Sequence, residues 1–214
     1  MEEAVEAGLL ETYEHEVRFS EMQVAEMIYG QLPENERSAL HYKIANLYYA
    51  RGMERLSSTD MIVMATSFNQ SQDIVKSEGR LQLAAELNYR AGKILQNDKA
   101  YDQARHFFKM SSEFLKECRW EDVREQVWMV YMDRARTEYY LGEYDLAEIH
   151  LDHLLERFTE PLKRAKAFEL KITINNHLAR YQKVVWIIKE SLAELGLELP
   201  MEEQRLQDEV SRLK

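Results

Sequence analysis

The sequence predicts an all-α protein built from helix pairs in series, and three observations predict it. Residues that make tight turns are scarce, with 7 Gly and 3 Pro in 214 residues. A sheet protein of this length needs many Gly-, Asn-Gly- or Pro-containing turns. From Glu34 onward, apolar residues recur at intervals of three and four, the period of a helix. Finally, one nine-residue pattern is written three times: "AYDQARHFF" at 100–108, "EYDLAEIHL" at 143–151 and "RYQKVVWII" at 180–188.

The first forty residues differ from the rest. "YEHEVRFS" alternates through Tyr13, Val17 and Phe19 and predicts one strand or wing before a helix in "EMQVAEMIY". Pro33 suits a first helical position, where its missing N–H costs nothing. The stripe Leu40, Ile44, Leu47 and Tyr48 then runs to Gly52, which suits the residue just past a helix end. "SSTD" offers oxygen acceptors to the free N–H groups of the next first turn. Further helices are predicted at 57–76, 80–96, 100–117, 122–141, 144–158, 162–178 and 181–195. The stripe Leu206, Val210 and Leu213 predicts another at 201–214.

The repeated pattern explains the middle of the chain. Tyr101 and Tyr144 are 43 residues apart, and Tyr144 and Tyr181 are 37 apart. Each follows a helix across a short break, "QNDK", "LGE" or "LA". Three residues on comes Ala104, Ala147 or Val184, and four later Phe108, Leu151 or Ile188, so a small and a large side chain share one face. Gly92 and Ala135, twelve residues before Ala104 and Ala147, supply a small contact on the partner helix; Ile172 stands there in the third unit, which predicts a wider pair. The arrangement resembles the tetratricopeptide repeat over residues 81–196, with a looser unit at 36–76. That resemblance implies a superhelix of stacked antiparallel helix pairs. The domain reading is 1–32 as an N-terminal extension or winged-helix remnant, 33–200 as repeats and 201–214 as a C-terminal helix.

A second resemblance spans nearly the whole chain. "LPENERSALHYKIANLY" is similar to the "IPEEER-x-x-LH-x-x-IG" helix of large bacterial signalling ATPases of the multi-sensor serine/threonine kinase, AAA-type and histidine kinase group. "TSFNQS" stands where that family has "NHLN-x-G", and "SLAELGLELP" is similar to its tail "ALEALGIELP". "LGEYDLAEIHLDHLLER" is similar to its third repeat. The family's "F-x-HD" turn reads "FSEM" here, with Glu21 and Met22 in place of His-Asp, and Thr66-Ser67 replaces its later "NH". The roles of those residues toward the ATPase therefore do not transfer. The resemblance implies a fragment or stand-alone relative with a regulatory role.

Composition narrows the function classes. A formal charge of -10 with no Lys/Arg block argues against nucleic acid. Cys118 is the single cysteine, so no internal disulfide can form and a cytoplasmic setting is predicted. No run of ~18 uncharged apolar residues is present, so no membrane span is expected. The N-terminal "MEEAVEAGLL" lacks the basic start of a secretory signal. No G-x-x-x-x-G-K loop exists to cradle a phosphate.

Other residues that could carry chemistry read as packing or surface. His150, His153 and Glu156 in "HLDHLLE" lack a remote metal ligand and read as a solvated helix face. Glu143 and Asp145 read as surface, and Cys118 has no evident base. Trp120, Trp128 and Trp186 are expected in the core; Met61, Met64, Met129 and Met132 fill gaps or line an adaptable surface. Of Tyr48-Tyr49 and Tyr139-Tyr140, one ring each should meet a neighbouring helix.

The sequence therefore predicts a non-enzymatic protein-interaction module with no cofactor or metal. In a tetratricopeptide-like superhelix the first helix of each pair lines the concave side. Aligning the units predicts that Tyr89, Lys93, Gln96 and Asn97 face inward, then Met132, Arg136, Tyr139 and Tyr140, then Glu169, Thr173, Asn176 and His177. Lys93, Asn97 and Arg136 together suit a carboxylate. The expected partner is a protein, a peptide or another domain of the parent, with homodimers through open repeat ends. The alternative is a small-molecule-sensing helical domain with its ligand between helices.

Overall fold

Leu10–Tyr13 (β1) and Glu16–Phe19 (β2) pair antiparallel, with Leu10 opposite Phe19 and Tyr13 opposite Glu16. They make two strands where one was expected, and helices follow. The structure is a computed structural model that describes residues 7, 10–13, 16–194 and 196–197. The expected helix at 201–214, with Leu206, Val210 and Leu213, lies outside the described residues. The chain divides between Arg80 and Leu81, not after residue 32. Among the described residues, no helix is long and apolar enough to cross a membrane.

Among the described residues, the unit ending at Arg80 holds three longer α-helices and one short one, with a 3-10 turn at Met53–Arg55. Met22–Gln31 (α1) buries none of its side chains; its Tyr29 hydroxyl shares a 2.8 Å hydrogen bond with His41 Nε2. Glu34–Ala50 (α2) begins one residue after Pro33, and Gly52 takes φ 85°, the left-handed conformation that glycine adopts without strain. Ser58–Asn69 (α3) starts on a capping box: Ser57 Oγ accepts from Asp60 N at 3.1 Å, and Asp60 Oδ2 accepts from Ser57 N at 3.2 Å. Met61, Met64, Ala65 and Phe68 form its buried stripe, and Tyr42 meets Phe68 edge-on.

The helix expected at 57–76 is broken, and Gln72–Ser77 (α4) is separate. The break falls at Ser71, which takes φ -129° and ψ 35°, outside the helical range; its buried hydroxyl donates to Ser67 O at 2.9 Å and Phe68 O at 3.3 Å, satisfying carbonyls at the end of α3.

The described residues of the unit from Leu81 form three helix pairs: Leu81–Asn97 (α5) with Tyr101–Lys116 (α6), Trp120–Tyr140 (α7) with Tyr144–Arg157 (α8), and Pro161–His177 (α9) with Tyr181–Glu194 (α10). One turn closes every pair. Lys99, Gly142 and Ala179 each adopt positive φ, at 60°, 80° and 55°. The next N–H reaches back to Leu95, Glu138 or Asn175 in a Schellman bond of 2.8–2.9 Å. The tyrosine that opens each repeated stretch is the residue after that, first in its helix. Only the second turn carries glycine. Lys99→Gly and Ala179→Gly should each raise stability by about 0.5–1 kcal/mol, the relief of left-handed strain less the entropy that glycine adds to the unfolded chain. Urea midpoints would check this.

Small residues set the spacing as expected, with one change of partner. Ala104, Ala147 and Ala135 are wholly buried, and Val184 half-buried. Gly92 faces Phe108: a Cβ there would fall 2.6 Å from the Phe108 ring. Successive pairs are joined by contacts that recur in register. Tyr101 stacks on Tyr140 with centroids 4.8 Å apart, and their counterparts Tyr144 and His177 lie 5.4 Å apart. Arg105 on α6 bonds Glu138 on α7; at the equivalent positions Glu148 on α8 accepts from Asn175 on α9. Arg134 reaches back to Ser112; its counterpart Lys171 also reaches back to the preceding helix, but to Asp152, three residues before the position equivalent to Ser112.

The tryptophans correct the sequence reading. Trp186 is 57% exposed because it lies on the outer side of α10, in register with exposed Ile149 and His106. Trp120 packs against Phe158, and Lys166 sits over Trp128; both indoles are only half-buried.

Candidate functional site

The residues expected to face a partner come from α5, α7 and α9, and the structure sorts them into three groups. Met132 is 1% exposed and belongs to the core, which corrects its expected place on the binding face. Its helix turns that position inward, just as Tyr89, its counterpart on α5, is half-buried.

The second group is a network around a carboxylate that the sequence reading missed. Asp133, 3% exposed, accepts from the Tyr89 hydroxyl at 3.0 Å on Oδ2. Its Oδ1 lies 3.2 Å from both Lys93 Nζ and Arg136 Nη1. Gln96 Nε2 donates to Asp133 O at 3.3 Å and to Thr137 Oγ1 at 3.0 Å. Burial, then the neighbouring Asp133 charge, pushes the Tyr89 phenol well above its ordinary range, so it stays a donor. The carboxylate held by Lys93 and Arg136 is thus one from their own chain, and Asn97 takes no part in this network. One signal was available: Asp133 interrupts the apolar run "VWMVYM" on a helix that must be buried, and such an acid needs cations.

The third group stays accessible. Asn97, Tyr140 and His177 hold one register position on the three helices, and all are exposed. Tyr139 is half-buried and meets Tyr144 and His177 with centroids 5.9 and 6.0 Å away. Asn176, Glu169 and Thr173 are exposed, the last donating to Glu169 O of its own helix at 2.9 Å. Chemically, the face offers ring surfaces and two cations that share one internal anion.

Other candidate groups resolve into packing. His150 is buried against Tyr131, not solvated as expected, while His153 stacks on the same ring at 4.5 Å. Among the described residues no three His, Cys, Asp or Glu side chains gather as a metal site. Burial, aided by Arg134 and His153, pushes His150 down from 6.5 to about 3. The folded chain therefore resists a proton that the unfolded chain accepts, and stability should fall as pH drops from 6.5 toward 3. The slope contributed by this group approaches about 1.4 kcal/mol per pH unit. His150→Leu should flatten the urea-midpoint profile between pH 6.5 and 5. Cys118 donates to Phe114 O at 3.4 Å, and burial, then Glu117 and Asp122, raises its thiol, the opposite of an activated nucleophile.

No protein-family model, curated protein or solved structure matches this chain.

Proposed function

We propose that residues 81–194 are a tetratricopeptide-like protein-interaction module that takes an acidic protein segment along its first-helix face, the concave side of a superhelix. One observation carries the reading. Lys93 and Arg136 both spend a contact on Asp133, yet their side chains remain 35% and 45% exposed. Tyr140 stands one turn beyond Arg136. Two cations on one anion leave this cluster with surplus positive charge in a chain whose formal charge is -10. An incoming carboxylate can accept the remaining N–H donors while its backbone lies against the tyrosine rings. The resemblance to bacterial signalling ATPases and kinases supports a regulatory role, in which the segment comes from another domain of the parent or from a cytoplasmic partner. Occupancy of the face would bias the parent's activity. The groove between α9 and α10, about 520 Å³, is what favours the small-molecule reading, since ligand sites reach that size.

The test is binding of fluorescent decapeptides ending in Asp/Glu-rich sequences, against the same peptides with Asn/Gln. Acidic peptides should bind selectively, and Arg136→Ala should weaken them about 10-fold or more, as loss of a charge-assisted bond does. Equal binding of both peptide sets, or no effect of Arg136→Ala, would overturn the proposal.

A further inference from the structure

α7 is 21 residues long, whereas α5 and α9 have 17 each. Counted back from Tyr101, Tyr144 and Tyr181, the excess is one additional turn at its start, 120–123. That turn and the end of α6 wall a cavity of about 340 Å³, and α8 supplies His153 and Arg157 to another side. Ligand sites begin at about 300 Å³.

The walls are apolar and aromatic, and their charges are positive. Trp120, Tyr131 and His153 contribute three rings, and Val123 and Val127 add aliphatic surface. Among the described residues of the lining no side chain is acidic; the charged ones are Lys116 and Arg157. Lys116 already holds Glu113 at 2.8 Å. Arg157 is exposed and lies over the Trp120 ring, 5.5 Å from its centroid, and it forms no ion pair among the described residues. Burial, then the Arg157 charge, holds His153 below its ordinary range; Lys116 and Arg134 act the same way, and Glu156 opposes them. One polar atom also lacks a partner. Tyr131 is 9% exposed and lines the cavity, yet its hydroxyl makes no hydrogen bond among the described residues. A buried phenol ordinarily finds an acceptor.

We propose that the cavity takes a small aromatic carboxylate, its ring among Trp120, Val127 and His153 and its anionic oxygens accepting from Arg157 and the Tyr131 hydroxyl. Guanidinium–carboxylate bonds are among the strongest that a side chain can offer. A free ligand fits better than a chain segment, because three helices contribute walls to a small volume. The site stands apart from the acidic-segment reading: Lys93 and Arg136 are not among its walls.

The test is calorimetric titration of the whole chain with 2-naphthoate and with uncharged 2-naphthamide. The rate at which N-ethylmaleimide labels Cys118, which lines the cavity, supplies a second readout. Naphthoate should bind about 10-fold more tightly than naphthamide or better, and saturation should slow Cys118 labelling about 5-fold. Arg157→Gln should weaken naphthoate about 10-fold. Val127→Phe, which fills the cavity, should abolish binding, and Arg136→Ala should leave it unchanged. Equal affinity for the two probes, labelling untouched by naphthoate, or a loss in Arg136→Ala rather than Arg157→Gln would overturn the proposal. So would tighter binding of a decapeptide ending in phenylalanine, which would assign the cavity to a chain terminus. Should Val127→Phe not fold, protection of Cys118 in the unsubstituted chain decides.

Discussion

Asp133→Ala should lower the unfolding free energy by about 2–4 kcal/mol, the largest loss expected from any single side chain on the first-helix face. Removing one partner of a buried ion pair typically costs 3–5 kcal/mol, because the charge left behind has lost its counter-ion. Here Lys93 and Arg136 are both more than a third exposed, so water takes back part of that cost. The half-buried Tyr89 hydroxyl loses its acceptor as well. Asp133→Asn keeps the shape and one acceptor oxygen and should cost about half as much. Tyr89→Phe, which removes a neutral donor to a charged acceptor, should cost about 1–2 kcal/mol. Urea denaturation at unchanged slope measures all three. A loss below about 1 kcal/mol for Asp133→Ala would mean that the network is ornamental.

Gly92→Ala should destabilise by about 1–3 kcal/mol although alanine is the better helix former by about 1 kcal/mol. The Phe108 ring is fully buried and cannot swing away from a Cβ only 2.6 Å from its edge, so the α5–α6 pair must open. Phe108→Leu in the Gly92→Ala background should recover part of the loss, giving a coupling of about 1 kcal/mol or more in a double-mutant cycle. Gly30 in α1 supplies the contrast. Nothing lies within 4 Å of its missing Cβ, so Gly30→Ala should be neutral or stabilising. The same substitution is thus expected to change sign between the two helices.

These two residues show what the sequence made legible. Glycine at Gly92 was recognisable as a close-approach position from its twelve-residue offset to Ala104, yet its partner is Phe108, because the large residue of the pattern lies one turn further along the same face. The pair turns were placed correctly, but their common geometry was hidden: Lys99 and Ala179 adopt the left-handed conformation that only Gly142 advertises. The break at Ser71 was missed because the apolar pattern runs across it with no Gly or Pro between 57 and 76 to mark an interruption. Asp133 was missed for a related reason. Helical periodicity tells which face is buried, while this buried charge depends on Lys93 and Tyr89 from another helix, 40 and 44 residues away, as well as on Arg136 three residues along its own. Trp186 was expected in the core; its register, shared with exposed Ile149 and His106, was the better guide.

The central claim is that successive helix pairs nest through equivalent contacts. A single aromatic NOESY spectrum tests it most directly. The claim predicts cross-peaks between the Tyr101 and Tyr140 rings and between the Tyr144 and His177 rings, at centroid separations of 4.8 and 5.4 Å. Absence of either set in a folded chain, or contacts that join Tyr101 to a ring other than Tyr140 in the next pair, would contradict it.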